Sequence, residues 1–378
     1  MQYREYGDTG KMISALGFGA MRLPDDDEYA VQIMERFLDL GGNLIDTAAG
    51  YGNGRSERMV GRAIEGRRDE VYISTKNHAI VQGNRDNSID IPKVFEQRLE
   101  QSFENLGVDR IDFYHIHDFS WEQFTEHFRD KPPLEMCQQA LADGRIDHLC
   151  FSSHDTPENI IRLIDTGLFE GVIVQYNMLD RPGSEGPRGG TDNAPAIAHA
   201  AERGLGVLIM GPLAGGRLVM GDPATLRAML PVDTPSAADL GLRFVLANPH
   251  VTCAMSGMQE MSEVEENCAT ASSEQPLTDE EREAIEELIA RNERLSELYC
   301  TGCEYCLPCP EGVAIPDIFE AMNYHRVWGL TEHAKNLYAK LGESNAEACV
   351  ECGQCEEKCP QNLPIIEQLK ESHEALSR

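Results

Sequence analysis

Basic residues are scarce in this chain. Of its 378 residues, 33 are Lys or Arg against 64 Asp or Glu, a formal net charge of −31. Nucleic-acid phosphates need clustered Lys and Arg, so the deficit excludes them as a partner, and it argues equally against docking on anionic lipid. Long apolar runs are also missing: no eighteen consecutive apolar residues occur, so no segment reads as a membrane span. The opening MQYREY carries no secretory-type apolar stretch. A reducing, cytoplasmic setting is therefore expected, in which cysteines serve purposes other than disulfides. Low-complexity segments are absent, as is any repeat beyond a strand–helix unit. The acidic surface either steers the protein to a basic redox partner or simply keeps it soluble.

What is abundant is cysteine, and it is concentrated. Eight of the twelve cysteines fall in the last eighty residues, as Cys300, Cys303, Cys306 and Cys309 before Pro310, then Cys349, Cys352, Cys355 and Cys359 before Pro360. Three cysteines at two-residue intervals followed by Cys-Pro suit a cubane iron–sulfur cluster, because one turn of backbone presents three thiolates to three corners of the cube. Zinc is served by paired Cys-x2-Cys units and has no use for the third cysteine. Two rows imply two [4Fe–4S] clusters and single-electron transfer. In two-cluster ferredoxins the fourth cysteine of each row ligates the other cluster. The expected sets are thus Cys300, Cys303, Cys306 and Cys359, and Cys349, Cys352, Cys355 and Cys309. A spacer of only two residues, Leu307 and Pro308, makes Cys309 the weakest match. Cys137, Cys150, Cys253 and Cys268 are scattered and read as small hydrophobes.

Upstream, eight β-like runs alternate with helical stretches: Leu16–Ala20, Asn43–Asp46, Val71–Thr75, Ile111–His115, His148–Ser152, Val172–Gln175, Val207–Met210 and Thr252–Met255. Between them lie patterns such as Ile91–Leu106, with Val94, Leu99, Phe103 and Leu106 on one face. Eight alternations over some 250 residues predict an α/β fold of the (β/α)8 TIM-barrel type. A doubly wound sheet is disfavoured: Gly17-Phe18-Gly19 lacks a third glycine and runs into Met21-Arg22-Leu23-Pro24. Beyond Glu274–Pro276, Thr278-Asp279-Glu280-Glu281 is a capping box opening a helix to about Leu298. Helices are also expected near Ile315–Val327 and Thr331–Leu341, with no strand pairs between the cysteine rows. The predicted organisation is a barrel over 1–275, a linker helix over 276–299, and a mainly helical two-cluster, ferredoxin-like domain over 300–378.

Barrel strands converge on one mouth at their C-terminal ends. There the sequence sets Asp46, closing the second strand, Tyr51 in the loop after it, Lys76 closing the third and His117 closing the fourth. His115, two residues before His117, is expected on the opposite strand face and in a structural role. Singly, each of the four has an ordinary reading: an ion pair, a rim aromatic, a core histidine. As a set at one mouth they point to proton chemistry.

These strings resemble the aldo/keto reductase family. Asp46-x4-Tyr51-Gly52, Ser74-Thr75-Lys76 and Asp112-x-Tyr114-x-x-His117 match its motifs in order and spacing, as does Ser56-Glu57…Val60-Gly61, and the likeness covers about residues 1–270. Joined to CTGCEYCLPCP, the whole is similar to the family's iron–sulfur-containing branch. The resemblance implies reduction of a carbonyl, or oxidation of an alcohol, by hydride transfer. Tyr51 would be the proton donor, Lys76 would lower its pKa, Asp46 would hold Lys76, and His117 would orient the carbonyl oxygen. It further implies an extended nicotinamide dinucleotide across the mouth. Gln175 matches the carboxamide-holding glutamine. Ser152 and Ser153 fall where a Ser-Asn pair is common, and His154 is placed to compensate for the missing Asn. Met210 replaces a stacking tyrosine. Pro212, Leu213, Gly215, Gly216 and Arg217 match the pyrophosphate loop, and Glu266 and Asn267 the adenine contacts. Gly19, Met21 and Arg22 after the first strand, and Gly257 after the eighth, complete the expected contacts.

The chain departs from the family at the 2′-phosphate. Glu260 and Glu263 stand where NADPH-binding members carry Lys and Arg, which favours NAD(H) over NADP(H) because carboxylates accept hydrogen bonds from a ribose diol. Hydride pairs and single-electron clusters also need a converter, for which FMN in the same mouth is the alternative. The reading is thus an oxidoreductase acting on a small carbonyl or alcohol and trading electrons with a partner such as a ferredoxin. Its rivals are a flavin-centred electron-transfer enzyme and a non-catalytic electron-carrier subunit. Trp121 and the Gly-rich loop Arg181–Asn193 are expected to shape the pocket.

Overall fold

In the computed structural model, which describes residues 1–86, 88–178, 192–216, 235–273, 275–291, 300, 305–326 and 331–377, the aliphatic runs close into a parallel barrel. A short antiparallel hairpin, β1 (Tyr3–Glu5) and β2 (Met12–Ser14), precedes it. The barrel strands follow as β3 (Leu16–Gly19), β4 (Leu44–Asp46), β5 (Tyr72–Asn77), β6 (Ile111–Ile116), β7 (Ile146–Ser152), β8 (Gly171–Gln175), β9 (Gly206–Met210) and β10 (Cys253–Ser256). They pair in sequence order and β10 returns to β3. The eight runs expected from the sequence are these strands; β5 and β6 run on past Thr75 and His115. The hairpin was not foreseen, since three-residue strands carry too little periodicity to register.

Side chains alternate between the two faces of a strand, so one set from each strand fills the barrel. Leu44, Phe113, Cys150, Ile173, Leu208, Cys253 and Met255 form that interior cluster with Tyr6 and Ile13. Tyr6 seals the end where the strands begin. Its ring stacks on Phe113 at 4.1 Å, and a Cβ on Gly171, the first residue of β8, would fall 1.8 Å from its hydroxyl. Only glycine leaves room for the plug at that position.

The outer helices follow their local signals. Ile91–Leu106 starts at Asp90, whose carboxylate accepts from the Lys93 amide at 3.3 Å, and stops at left-handed Gly107. Its buried face uses Phe95 with Leu99, Phe103 and Leu106, whereas the expected Val94 is only partly covered. Against it lies helix Arg55–Ala63, where a Cβ on Gly61 would stand 2.6 Å from the Leu106 carbonyl. The glycine in the Ser56-Glu57…Val60-Gly61 string thus permits a close helix crossing.

Packing divides the chain into two compact units. One is the barrel, Met1–Tyr176 with most of the chain from 190 to 276 except 213–241; the other is built on the residues from Leu277 onward, with described residues of 177–189 and 213–241. In the second, Asp279–Arg291 opens on the expected reciprocal cap: Glu281 N–H donates to Thr278 Oγ1 at 3.1 Å and Thr278 N–H to Glu281 Oε2 at 2.9 Å. Residues 292–299, the rest of the expected linker helix, lie outside the described residues. Helices Ile315–Arg326, Thr331–Lys340, Gln354–Lys358 and Ile365–Leu376 follow. Ile315, Phe319, Met322, Leu363 and Leu369 make the core, and Cys300, Cys306, Cys309, Cys349 and Cys355 pack on its edge.

Candidate functional site

Asp46 and Lys76, on adjacent strands, meet in the barrel interior. Lys76 Nζ lies 2.5 Å from Asp46 Oδ2 and donates to the Thr47 carbonyl at 2.7 Å; the two side chains are 3% and 6% exposed. Burial lowers the Lys76 pKa, opposed by the negative charges of Asp46 and Glu57. The pair is thus a desolvated ammonium held charged by its carboxylate. Tyr51 reaches over it from the loop after β4, with Lys76 Nζ 4.9 Å from the ring centroid. His117, one residue beyond β6, meets the Tyr51 ring edge-on at 5.8 Å. Burial pushes the His117 pKa well down, aided by the nearby Lys76 ammonium and by the neighbouring imidazoles of His78, His154 and His115, which would repel a second positive charge. A neutral imidazole therefore faces the phenol at pH 7, able to donate from one nitrogen.

The loop carrying Tyr51 is fastened from below. Ser56 Oγ donates to the Ala20 carbonyl at 2.7 Å and lies 2.6 Å from Thr47 Oγ1. Glu57 is fully buried, accepting from Thr75 Oγ1 at 2.7 Å and Asn105 Nδ2 at 2.9 Å. His78 packs on the same loop, where a Cβ on Gly50 would stand 3.2 Å from its ring.

His115 corrects the expectation. Residues two apart on a strand share a face, so His115 points inward with Phe113 and His117 rather than away from them. It is fully buried, and its Nδ1 lies 3.3 Å from Ser74 Oγ, whose hydroxyl donates to Asp46 Oδ1 at 2.6 Å. The parity of Ser74 with Lys76, and of His115 with His117, was the signal that could have found both.

The expected cofactor contacts separate into groups. Gln175 and Met210 end β8 and β9 on the inward parity, the first buried and the second packed on the interior cluster. Gly19 ends β3 and Met21 and Arg22 follow it, both half-buried. Ser152 and Ser153 are engaged within the protein: Ser152 Oγ accepts from the Asp118 amide at 2.9 Å, and Ser153 Oγ donates to the Phe119 carbonyl at 2.7 Å. Asn267 Nδ2 donates to Ser256 Oγ at 3.2 Å, beside Gly257, in the helix that also carries Glu266. Pro212 belongs to the barrel unit, whereas Leu213, Gly215 and Gly216 group with the second unit. Gly215 and Gly216 have left-handed φ of 70° and 93°. Arg217 and residues 181–191 of the glycine-rich loop lie outside the described residues. Trp121 is stacked by Arg162, whose guanidinium carbon is 3.9 Å from the indole centroid.

Glu260 and Glu263 open helix Met261–Ser272. Glu263 Oε2 accepts from the amides of Gln259 at 2.7 Å and Glu260 at 3.2 Å, while Glu260 Oε2 accepts from Tyr29 Oη at 2.9 Å. A carboxylate of the chain itself thus caps this helix N-terminus, the position that otherwise attracts an anion.

In the second unit the cysteines border two cavities. One, of about 330 Å³, is lined by Cys300, Cys306 and Cys359 with Ile315, Phe319 and Leu363. The other, of about 380 Å³, is lined by Cys306, Cys309, Cys349, Cys352 and Cys355 with Val313 and Leu369. Cys306 borders both, and Cys303 lies outside the described residues. Thiols around an apolar hollow suit a cluster, whose sulfurs and irons fill space that a single ion leaves open. Among the described residues no three His, Cys, Asp or Glu side chains close on a single-ion site. The four scattered cysteines are buried, which raises their thiol pKa values, that of Cys268 to about 11. No described helix is long and apolar enough to cross a membrane.

Comparison with known proteins matches this architecture twice. The Aldo/keto reductase family profile covers residues 15–290, and a 4Fe-4S dicluster domain covers residues 299–363. Among curated proteins, the "Uncharacterized oxidoreductase YqkF" of Bacillus subtilis is 25% identical over 76% of this chain and 96% of its own length. Among solved structures, the holo form of aldo-keto reductase AKR11C1 from Bacillus halodurans is 26% identical, with TM-score 0.62 over 76% of this chain and 96% of that one. An aldo/keto reductase from Klebsiella pneumoniae in complex with NADP and acetate shares the fold at 23% identity, with TM-score 0.56 over 75% and 94% of the two chains. With a family match that spans most of its length, the chain belongs to the aldo/keto reductase family, as an oxidoreductase that also carries a ferredoxin-like 4Fe-4S dicluster domain.

Proposed function

We propose that the barrel reduces a small carbonyl compound, or oxidises the matching alcohol, with Tyr51 as the proton-transferring group. The observation that carries this reading is Lys76, buried 2.5 Å from Asp46 and 4.9 Å from the Tyr51 ring. A carbonyl oxygen that gains negative charge needs a proton, and a phenol beside a fixed ammonium yields one more readily than a phenol in water. Asp46 keeps Lys76 charged despite its burial. His117, neutral and edge-on to Tyr51, points the carbonyl oxygen by donating a hydrogen bond. A bound nicotinamide would supply the hydride. Gln175 would hold its carboxamide, and Met210 would pack on its flat face.

NAD(H) is preferred to NADP(H) because Glu263 already caps the helix start and would meet a 2′-phosphate with like charge. In the second unit we assign Cys300, Cys303, Cys306 and Cys359 to one [4Fe–4S] cluster and Cys309, Cys349, Cys352 and Cys355 to the other. The two groups of thiols around separate hollows support this crossed assignment, including Cys309 despite its short spacer. The clusters would store single electrons for exchange with a redox protein such as a ferredoxin.

The test compares Tyr51→Phe with the parent protein, purified without oxygen. Turnover of carbonyl with NADH should collapse while dithionite still reduces the clusters. Undiminished turnover would overturn the role of Tyr51. Mass spectrometry of the small molecules released on denaturation checks the cofactor, and stoichiometric FMN would replace the nicotinamide reading with a flavin one.

A further inference from the structure

The carboxylate that holds Lys76 is itself held, and the holding group is not part of the four-residue set. Asp46 has two oxygens. Oδ2 takes Lys76 at 2.5 Å, and Oδ1 takes the hydroxyl of Ser74 at 2.6 Å. An ionised carboxylate only accepts, so the Ser74 proton points at Asp46. The oxygen of Ser74 then has only lone pairs to offer His115 Nδ1, 3.3 Å away. The imidazole must be the donor, with its proton on Nδ1, a tautomer that hydrogen bonds to the backbone of Thr75 and Phe113 also favour. Ser74, Asp46 and His115 are all buried, and strand pairing sets Lys76 directly opposite His115 and Ser74 opposite Phe113. The row therefore converges on Asp46: His115 donates to Ser74 and Ser74 to Asp46 from one side, and Lys76 donates to Asp46 from the other.

Resting on the reading of Tyr51 as proton donor, we propose that Ser74 and His115 are positioning residues, a buried strut that locks the Asp46 carboxylate in the rotamer that keeps Lys76 charged beneath Tyr51. Neither touches the reacting atoms. Asp46 needs such a strut because χ2 of an aspartate is a broad, soft torsion. A swing of Oδ2 would leave the Lys76 ammonium desolvated and uncompensated. His115 suits the task because it stays neutral: burial and the neighbouring Lys76 charge lower its pKa to about 3. The ionisable groups around it are Lys76 opposite it on β5, Asp46 one strand further on β4, Cys150 opposite it on β7, and His117 just past the end of its own strand. A protonated imidazole there would compete with Lys76 for Asp46.

Three variants of the cluster-loaded protein test the strut: Ser74→Ala, His115→Leu and His115→Asn. The rate probe is p-nitrobenzaldehyde with NADH. Ser74→Ala and His115→Leu should each lower kcat about tenfold with KM changed less than about twofold, since they act on the proton donor rather than on binding. In both, the alkaline limb of kcat should move down by about one pH unit as Lys76 loses its charge earlier. His115→Asn places an amide N–H near the former Nδ1 and should restore most of the rate. A purely space-filling role predicts the reverse, with Leu tolerated and Asn harmful. Nitrogen NMR of labelled histidine reads the strut without catalysis: His115 should be the Nδ1–H tautomer in the parent, and its Nδ1 resonance should shift in Ser74→Ala as the hydroxyl acceptor is lost. An Nε2–H tautomer in the parent, or an unmoved kcat–pH profile in Ser74→Ala beside an inactive Tyr51→Phe, would overturn the strut alone. Full activity in Tyr51→Phe would instead remove the catalytic reading on which it rests.

Discussion

The barrel site and the cysteine unit solve the problem of placing reactive groups in opposite ways. In the barrel, each functional side chain is held by another side chain. Lys76 is fixed by Asp46, Asp46 by Ser74, Thr75 by Glu57, and each of these lies on or beside a strand of a closed sheet. The bonds that fix Asp46 and Lys76 all come from within the protein. In the second unit the described cysteines border two hollows open to solvent, and five of them pack on the edge of a small apolar core. Thiols set around open space await a group that spans them. A site made of mutual hydrogen bonds tolerates loss of its ligand; one arranged around a void does not.

The widest test of the contrast is chemical. Tyr51→Phe should reduce carbonyl turnover by about 10² to 10⁴, the usual worth of a positioned proton donor, with circular dichroism unchanged. A fold defect accompanying the loss would contradict the claim that the barrel network stands without this side chain.

Cys355→Ser, next in size, acts on the other region. Anaerobic iron analysis should show about half the parent iron, by loss of one of the two proposed clusters. Hydrogen exchange should rise across Ile315–Arg326 and Ile365–Leu376 and stay unchanged in the barrel strands. Full iron content would remove Cys355 from the ligand set.

Acid gives a finer measure within the barrel. His115 carries a folded pKa of about 3 against an unfolded 6.5, so between these values the unfolded chain binds the extra proton. Its contribution to stability is complete above about pH 6.5 and falls as pH drops towards 3, by at most about 5 kcal/mol. Burial of neutral His117 acts in the same direction. Urea midpoints of the parent should decline over this window, and those of His115→Asn should decline less. Equal slopes would show that the imidazole titrates freely.

The smallest expected effect is on cofactor choice. Glu263→Gln should cost roughly 1 kcal/mol of helix capping and narrow the preference for NADH over NADPH by a few-fold, read as the ratio of their kcat/KM values. An unchanged ratio would separate the cap from specificity.

The legibility of these regions differed as well. Strand–helix alternation was plain because each barrel strand is a short apolar run, and the Thr278–Glu281 cap and the helices between the cysteine rows stand close to where spacing places them. The β1–β2 hairpin was invisible, its strands being only three residues each. Asp46, Tyr51, Lys76 and His117 are brought together as their places at strand ends suggest. Their supports were harder to see. Ser74 sits in the same string as Lys76, yet only strand parity combined with the neighbouring strand's register shows that it touches Asp46. Ser152 and Ser153 stand at the expected positions, but their hydroxyls brace the turn after β6, a use that no spacing announces. Sequence reveals which residues share a mouth more readily than which bond each one makes.

Tyr6 has a consequence for traffic. With its ring wedged at the foot of β8 and stacked on Phe113, Tyr6 fills the end of the barrel at which the strands begin, opposite the end that carries Tyr51. On the proposed reading, substrate and the proton that recharges Tyr51 would then both arrive from the strand C-terminal end, so that bound substrate would stand in the way of recharging.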